Sequence, residues 1–404
     1  MMIQRDIASK ILELASKFPV VTLTGPRQSG KTTLLRHLFP EKKYISLEDL
    51  DTREYATSDP RAFLESIPHG AVLDEIQRVP ELFSYLQGVV DQHGIVGEFI
   101  LSGSQNFLLM ERVSQSLAGR AAVLKLLPLS NKELSGTSFF EQTLEQRIFG
   151  GFYPRIYDKN ISPVDFYASY TQTYVERDIR QMKNIHDLSL FTRFLKLCAA
   201  RVGQLLNLSS LANDCGISHF TAQSWLSLLQ TAYIVFLLQP HHENFSKRLT
   251  KMPKLYFYDT GLACHLMNLT ESSQLQSHYT RGSLFENLMI MEIVKHYANL
   301  GIEAPVFFWR DKTGNEIDCL IEAPQGMHLV EMKSAKTYHS DFAKNINYYV
   351  KLNEGKHKLH LITIYTGDEK QKRANMQLIP WQKPDFENLL HPGIFAETEK
   401  RIIE

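Results

Sequence analysis

The sequence predicts an α/β protein: an N-terminal parallel sheet built around a phosphate-binding loop, a helical middle region, and a C-terminal α+β unit. Three observations predict it. Residues 25–32 read Gly-Pro-Arg-Gln-Ser-Gly-Lys-Thr, which fits G-x-x-x-x-G-K-[ST] and lies between an apolar run and a helical segment. From residue 1 to about 130, strand-like and helix-like segments alternate, as parallel βαβ units require. From about residue 280 a long helix is followed by closely spaced strands, the pattern of an α+β unit.

The elements follow in order. Met1 to Lys17 carries Ile3, Ile7, Ile11, Leu12 and Leu14 at helical spacing among charges, an amphipathic helix rather than a signal peptide. Val20-Val21-Thr22-Leu23-Thr24 is a buried strand entering the loop, and Thr33 to Leu38 is the helix leaving it. Further strands are expected at Lys43–Leu47, Ala71–Leu73, Glu98–Leu101 and Ala121–Leu126. Residues 131 to about 195 look helical, interrupted at Gly150-Gly151-Phe152-Tyr153-Pro154. Ser209 to Ser218 gives a short helix and a turn at Gly216, Thr221 to Leu229 a second helix, and Tyr233 to Leu238 a strand, together a winged-helix pattern. A helix from Gly282 to Tyr297 then leads to strands near Val306–Trp309, Glu316–Ile321 and His328–Met332. The expected units are therefore 1–130, 131–200, 201–275 and 276–404.

At 404 residues the chain is long enough for two or three cores. Acidic and basic side chains balance at 44 each, so the chain as a whole is no electrostatic magnet for nucleic acid. Cys198, Cys215, Cys264 and Cys319 are scattered without a C-x-x-C pair, which points to reduced thiols in the cytoplasm and away from zinc or a disulfide framework. No apolar run reaches transmembrane length.

The loop dictates nucleotide chemistry. Gly25 and Gly30 let the backbone, with Pro26, Arg27, Gln28 and Ser29, curl its N–H groups toward a β-phosphate at the start of a helix that continues into Thr33. Lys31 would reach the β- and γ-phosphates of ATP, and Thr32 would ligate Mg²⁺. Ala71-Val72-Leu73-Asp74-Glu75 is an apolar strand ending in two acids. Asp74 would hold Mg²⁺ opposite Thr32, and Glu75 would orient and partly deprotonate the attacking water. A nucleotide switch without turnover has no use for the second acid, so Glu75 favours hydrolysis. After the next strand, Ser104 and Asn106 would sense the γ-phosphate or hold water, or serve as ordinary turn residues. Arg120 would neutralise phosphate charge in cis or from a neighbouring subunit of an oligomer, or be a solvated or salt-bridged side chain; Arg27 faces the same alternatives.

The C-terminal unit holds a second constellation. Asp318 lies on one strand and Glu331-Met332-Lys333 on the next, where period-two alternation puts Glu331 and Lys333 on one side. The turn between these strands brings Asp318 toward them, and Glu286 on the preceding helix adds a third carboxylate. Such carboxylates hold divalent cations, and the lysine would position water for phosphodiester attack. The competing reading is a surface charge pair on an edge strand. In the helix at 221–229, Thr221, Gln223, Ser224 and Trp225 come without Lys or Arg, which favours packing over reading DNA; Lys247, Arg248 and Lys251 follow it.

The loop, Leu73-Asp74-Glu75-Ile76-Gln77-Arg78-Val79-Pro80, Leu101-Ser102-Gly103-Ser104, Leu117-Ala118-Gly119-Arg120, Gly151-Phe152-Tyr153-Pro154 and Tyr174 to Ile179 together resemble prokaryotic AAA-type ATPases that carry a C-terminal domain of unknown function. The resemblance covers nearly the whole chain. It implies a P-loop NTPase core of AAA-like form, a winged helix, and a restriction-endonuclease-like domain, with which the Asp318…Glu331-x-Lys333 arrangement agrees. Two function classes follow: an ATPase whose turnover drives a nuclease-like domain on DNA, RNA or a protein partner, or a nucleotide-switched binding module with little turnover.

Overall fold

The computed structural model describes residues 3–104, 112–113, 115–179, 187–242, 252–324, 326–373 and 375–382, with backbone alone at 176–179. Asn106, the side chains of Glu176, Arg177 and Asp178, and Lys247, Arg248 and Lys251 lie outside the described residues.

The N-terminal module runs α1 (Ala8–Ala15), β1 (Val20–Thr24), α2 (Lys31–Leu38), β2 (Lys43–Ser46), α3 (Leu50–Ser58), α4 (Pro60–Glu65), β3 (Ala71–Asp74), α5 (Leu82–His93), β4 (Phe99–Gly103) and β5 (Ala121–Lys125). The strands form one parallel sheet in the order β2-β3-β4-β1-β5. Alternation along the strands divides the core. Val21, Leu23, Val72 and Ile100 pack with Ile7 at the N-cap of α1, Ile11 within it, and Leu34 and Leu35 of α2. Val20, Leu73, Phe99 and Leu101 pack with Phe63 of α4 and Leu86 of α5 on the other face. Burial on both faces explains why these strands read as continuous apolar runs. The common direction also lines up Thr24, Asp74 and Gly103 at one end of the sheet.

The middle region comprises α6 (Asn131–Leu134), α7 (Leu144–Gly150), α8 (Pro154–Asp158), α9 (Pro163–Tyr170), α10 (Leu188–Ala199), α11 (Leu208–Cys215) and α12 (His219–Thr231). Gly216 caps α11 in the left-handed region at φ 79°. Trp225 of α12 turns inward, edge-on to Phe191 and Phe194 of α10, so α12 is held by packing. There follow β6 (Val235–Pro240), β7 (Lys254–Phe257), α13 (Thr260–Leu266), α14 (Arg281–Asn299), β8 (Val306–Arg310), β9 (Glu316–Ala323), β10 (Gly326–Lys333), α15 (Lys344–Asn353), β11 (Leu359–Tyr365), β12 (Gln371–Arg373) and β13 (Met376–Pro380).

Here the structure departs from the expected separation at residue 275. The hairpin β6–β7 closes no unit of its own but extends the C-terminal sheet, whose order is β12-β13-β11-β10-β9-β8-β6-β7. Gln239 and Pro240 pair with Phe307 and Phe308 in parallel, and the His241 N–H donates to Phe308 O at 2.6 Å. One apolar core accordingly runs from Leu127 through the middle helices and α14 to Trp381. The other face of the sheet packs on Phe342, just before α15, and on Ile346 and Tyr349 of that helix. Among the described residues no helix is long and apolar enough to cross a membrane, and all four cysteines are buried free thiols.

Candidate functional site

The phosphate loop starts where β1 ends. At Gly25, φ is +147°, and a Cβ would stand 2.1 Å from Leu126 O, so no other residue fits beside β5. Gln28 and Gly30 also take positive φ, and Gly30 opens α2. The Lys31 ammonium is curled back on the loop, donating to Gly25 O and Pro26 O at 2.9 Å each. Burial brings its pKa down to about 8 against the opposing pull of the Glu75 and Asp74 carboxylates. The Ser29 hydroxyl is buried with no hydrogen-bond partner among the described residues. An orphaned donor at this point fits a phosphate oxygen.

Asp74 is the hub of the site. Its Oδ2 accepts from the Thr32 hydroxyl at 2.7 Å and from the Tyr44 hydroxyl; its Oδ1 accepts from Ser102 Oγ and from the Glu75 N–H at 3.1 Å. Burial first, and then the Asp74 contact, pushes the Tyr44 phenol well above its usual range, which keeps it a donor. A hydroxyl and a carboxylate oxygen in contact at the loop are a fitting donor set for Mg²⁺. Glu75 sits at φ 55°, a costly left-handed conformation for a non-glycine residue. Its Oε2 accepts from Gln77 Nε2 and from Ser104 Oγ at 3.1 Å. Ser104 thus contacts the second acid directly.

A cavity of about 600 Å³ opens over the loop, bounded by Ile3, Arg27, Lys31, Thr32, Glu48, Glu75, Leu129, Pro154 and Arg155. That volume is in the range of small-molecule sites. Arg27 lies 3.9 Å from Glu48 and over the Tyr174 ring, 5.6 Å from its centroid. Arg5, which sequence reasoning missed, donates to Ser29 O at 2.8 Å, Leu127 O at 2.6 Å and Glu133 Oε1 at 2.9 Å, binding the chain start to the loop. The Gly151–Pro154 segment has a local reason too. A Cβ at Gly151 would strike Tyr167 Oη at 1.9 Å, because the Asp259 carboxylate gathers Phe152 N, Leu262 N and Tyr167 Oη there. The resulting turn delivers Pro154 and Arg155 to the cavity.

Arg120 requires a correction. It precedes β5, and its carbonyl accepts from the Val20 N–H at the start of β1, the far end of the sheet from the loop. Five strand residues at about 3.3 Å each separate it from that edge. Its guanidinium is paired with Asp91 of α5 through two nitrogens. A role in cis at its own nucleotide is geometrically closed.

The second constellation assembles on β9, β10, α14 and β7. The strand β10 lies between β9 and β11, inside the sheet, so the Glu331–Lys333 pair is not an edge-strand surface pair. Lys333 Nζ bonds Glu331 Oε2 and stands 3.7 Å from Asp318 Oδ2, which accepts from the Met332 N–H at 2.8 Å. Glu331 is 1 % exposed, and its Oε1 has no partner among the described residues. Glu286 reaches the cluster from α14, accepting from Lys254 Nζ at 2.8 Å and from the Tyr256 hydroxyl. Oxygens of Glu286, Glu316 and Asp318 lie within 4.8 Å of one another. Burial, reinforced by the Asp318 charge, raises Glu286 to about 7 and lifts Glu331 well above the carboxylate range. Burial alone would lower Lys254 and Lys333, but the surrounding carboxylates outweigh it and hold both above the ordinary lysine value. An orphaned, buried carboxylate oxygen beside a second carboxylate fits a hard divalent cation.

Glu316, Lys254 and Tyr256 were missed from sequence. Glu316 had a signal, because it precedes Asp318 by two on the same strand face. Lys254 had none, since its partners are more than 30 residues away.

Residues 17–135 match the family model described as an AAA domain. Residues 141–273 and 281–383 match two models described as domains of unknown function, DUF8612 and DUF4143. Uncharacterised proteins of Mycobacterium tuberculosis and Mycobacterium bovis are each 29% identical over 337 residues, 83% of this chain and 74% of theirs. An uncharacterised protein of Haemophilus influenzae is 21% identical over 305 residues, 68% of this chain and 74% of its own. Among solved structures, the Walker-type ATPase of Pyrococcus abyssi is 14% identical with a TM-score of 0.42, covering 66% of this chain and 96% of that one. The RuvB Holliday junction branch migration motor of Thermotoga maritima is 22% identical with a TM-score of 0.32, covering 62% and 95%.

Proposed function

With residues 17–135 an AAA-type P-loop ATPase domain as the premise, we propose that this chain hydrolyses Mg-ATP with Glu75 as the base and couples turnover to a nuclease-like centre at Asp318, Glu331 and Lys333. The observation that carries it is the contact of Thr32 with Asp74 beside Glu75, whose Oε2 is held by Gln77 and Ser104. That restraint leaves Oε1 to take a proton from water. Lys31 exchanges its two loop carbonyls for the β- and γ-phosphates, while the loop residues from Gly25 to Thr33 other than Pro26 supply N–H donors and Ser29 a hydroxyl. Thr32 and Asp74 would hold Mg²⁺, which neutralises charge on those phosphates.

At the other centre, Asp318 and Glu331 would hold a divalent cation that polarises a phosphodiester, and Lys333 would position the water. The helix α14 that carries Glu286 links the two sites, because its Lys295 donates to the carbonyl of Leu129, a residue that bounds the cavity over the loop. The substrate class this supports is DNA or RNA; a protein partner docking on the same face is the alternative.

Phosphate release and Mg²⁺- or Mn²⁺-dependent degradation of duplex, single-stranded and RNA substrates test the proposal together. Glu75→Gln is expected to lower phosphate release by about 10²-fold, the usual worth of a general base. Degradation is expected to vanish in Asp318→Ala and Lys333→Ala while ATP binding persists. Equal phosphate release by wild type and Glu75→Gln would leave the nucleotide-switch reading, and no degradation with either metal would leave the protein partner.

A further inference from the structure

We infer that the C-terminal carboxylate centre takes one divalent cation rather than two, because the Lys254 ammonium already fills the second position. The inference rests on the metal-binding reading of that centre and goes beyond it to a residue outside the D…E-x-K pattern.

Lys254 opens β7, in the hairpin added to the sheet by the middle region, and its side chain is 4% exposed. Its Nζ lies 2.8 Å from Glu286 Oε1 and also bonds Glu316 Oε1. Tyr256, two residues along the same strand, donates to the same Glu286 oxygen. One oxygen each of Glu286, Glu316 and Asp318 lies within 4.8 Å of the others, the grouping an ion would need, yet the ammonium is already bonded to two of these three carboxylates. The other oxygen of Glu316 is taken by Arg310 at 3.0 Å. Glu316 is thus fully engaged by fixed cations. The free acceptor of the centre is Glu331 Oε1, buried without a partner among the described residues, in a carboxylate that shares Lys333 with Asp318.

Charge leads to the same count. Four carboxylates (Glu286, Glu316, Asp318 and Glu331) face two largely buried ammoniums, Lys254 and Lys333. At most two negative charges are left over, before Arg310 on Glu316 is counted, and one divalent ion cancels them. A second ion would turn the centre positive in a region of low dielectric, and Arg310 at the rim adds to that cost. A tethered ammonium here does what a second ion does elsewhere: it holds Glu286 and Glu316 in place. It adds no Lewis acid.

The test is Mn²⁺ binding to the full chain without nucleotide, followed by the electron paramagnetic resonance of free Mn²⁺. Ions that persist in Asp318→Asn are subtracted, which removes any bound at Asp74. Wild type is expected to bind one Asp318-dependent ion, Lys254→Arg one, and Lys254→Met two. Two such ions in wild type, or one in folded Lys254→Met, overturn the inference. No Asp318-dependent ion in wild type and in Lys254→Met overturns the metal reading beneath it, an outcome distinct from both. If Lys254→Met does not fold, Lys254→Gln supplies a neutral side chain of similar reach, and the wild-type count decides by itself.

Discussion

Lys31 has to carry its charge into a site that disfavours it. With burial setting its pKa at about 8, the loop lysine begins to lose its proton just above neutrality when no nucleotide is present. Bound phosphates would restore the charge, so nucleotide binding takes up a proton at higher pH. The sign follows: affinity is flat below about pH 8 and falls toward tenfold per pH unit above it. Titration with a fluorescent ATP analogue at pH 7, 8 and 9 checks this, and a flat response would contradict it. The loop, Asp74 and Glu75 were legible in the sequence because each depends on a few adjacent residues and one turn geometry. The partners of Asp74 and Glu75 were not, except for Thr32 and Ser104. Tyr44, Ser102 and Gln77 carry ordinary side chains, and only the parallel register places the first two around Asp74.

Among the elements, α14 has the widest reach. Near its start it carries Glu286 to the carboxylate centre; two turns later Glu292 and Lys295 meet the segment Leu129–Asn131 that leaves β5. Glu292 Oε2 accepts from Asn131 N at 2.8 Å, and Lys295 Nζ donates to Leu129 O at 2.7 Å and to Glu292 at 3.0 Å. Lys295 also lies 3.7 Å from the centre of the Phe152 ring. Both side chains are almost wholly buried, 3% and 2% exposed. Removing one member of such a pair strands the other, at a cost of about 3 kcal/mol. Lys295→Met is expected to lower stability by that order in urea unfolding, and Glu292→Gln with Lys295→Met to cost less than the two single changes summed. Strict additivity would show that the pair does not act as one unit. The helix itself was legible from its apolar spacing. Its two attachments were not, because Asn131 and Glu292 are brought together across 161 positions of chain.

At the scale of the whole molecule, the sheet decides what can stand alone. The segment 281–383 lacks β6 and β7 and exposes the core shared with the middle helices. Expressed by itself it is expected to aggregate and to show no cooperative melting, whereas a fragment from about residue 127 to the end keeps that core and should melt cooperatively. Size-exclusion chromatography and thermal unfolding of the two fragments check this; a cooperative transition in 281–383 would refute it. That the sheet runs across the expected boundary at 275 was not legible, because the pairing of Gln239 and Pro240 with β8 spans more than 60 residues. Lys254 gives that architecture a consequence for how such chains can be recombined. The acids of the C-terminal centre all fall inside the stretch 281–383, and the ammonium between Glu286 and Glu316 falls outside it. A graft of that stretch onto another ATPase would inherit the negative charges and leave behind one that balances them.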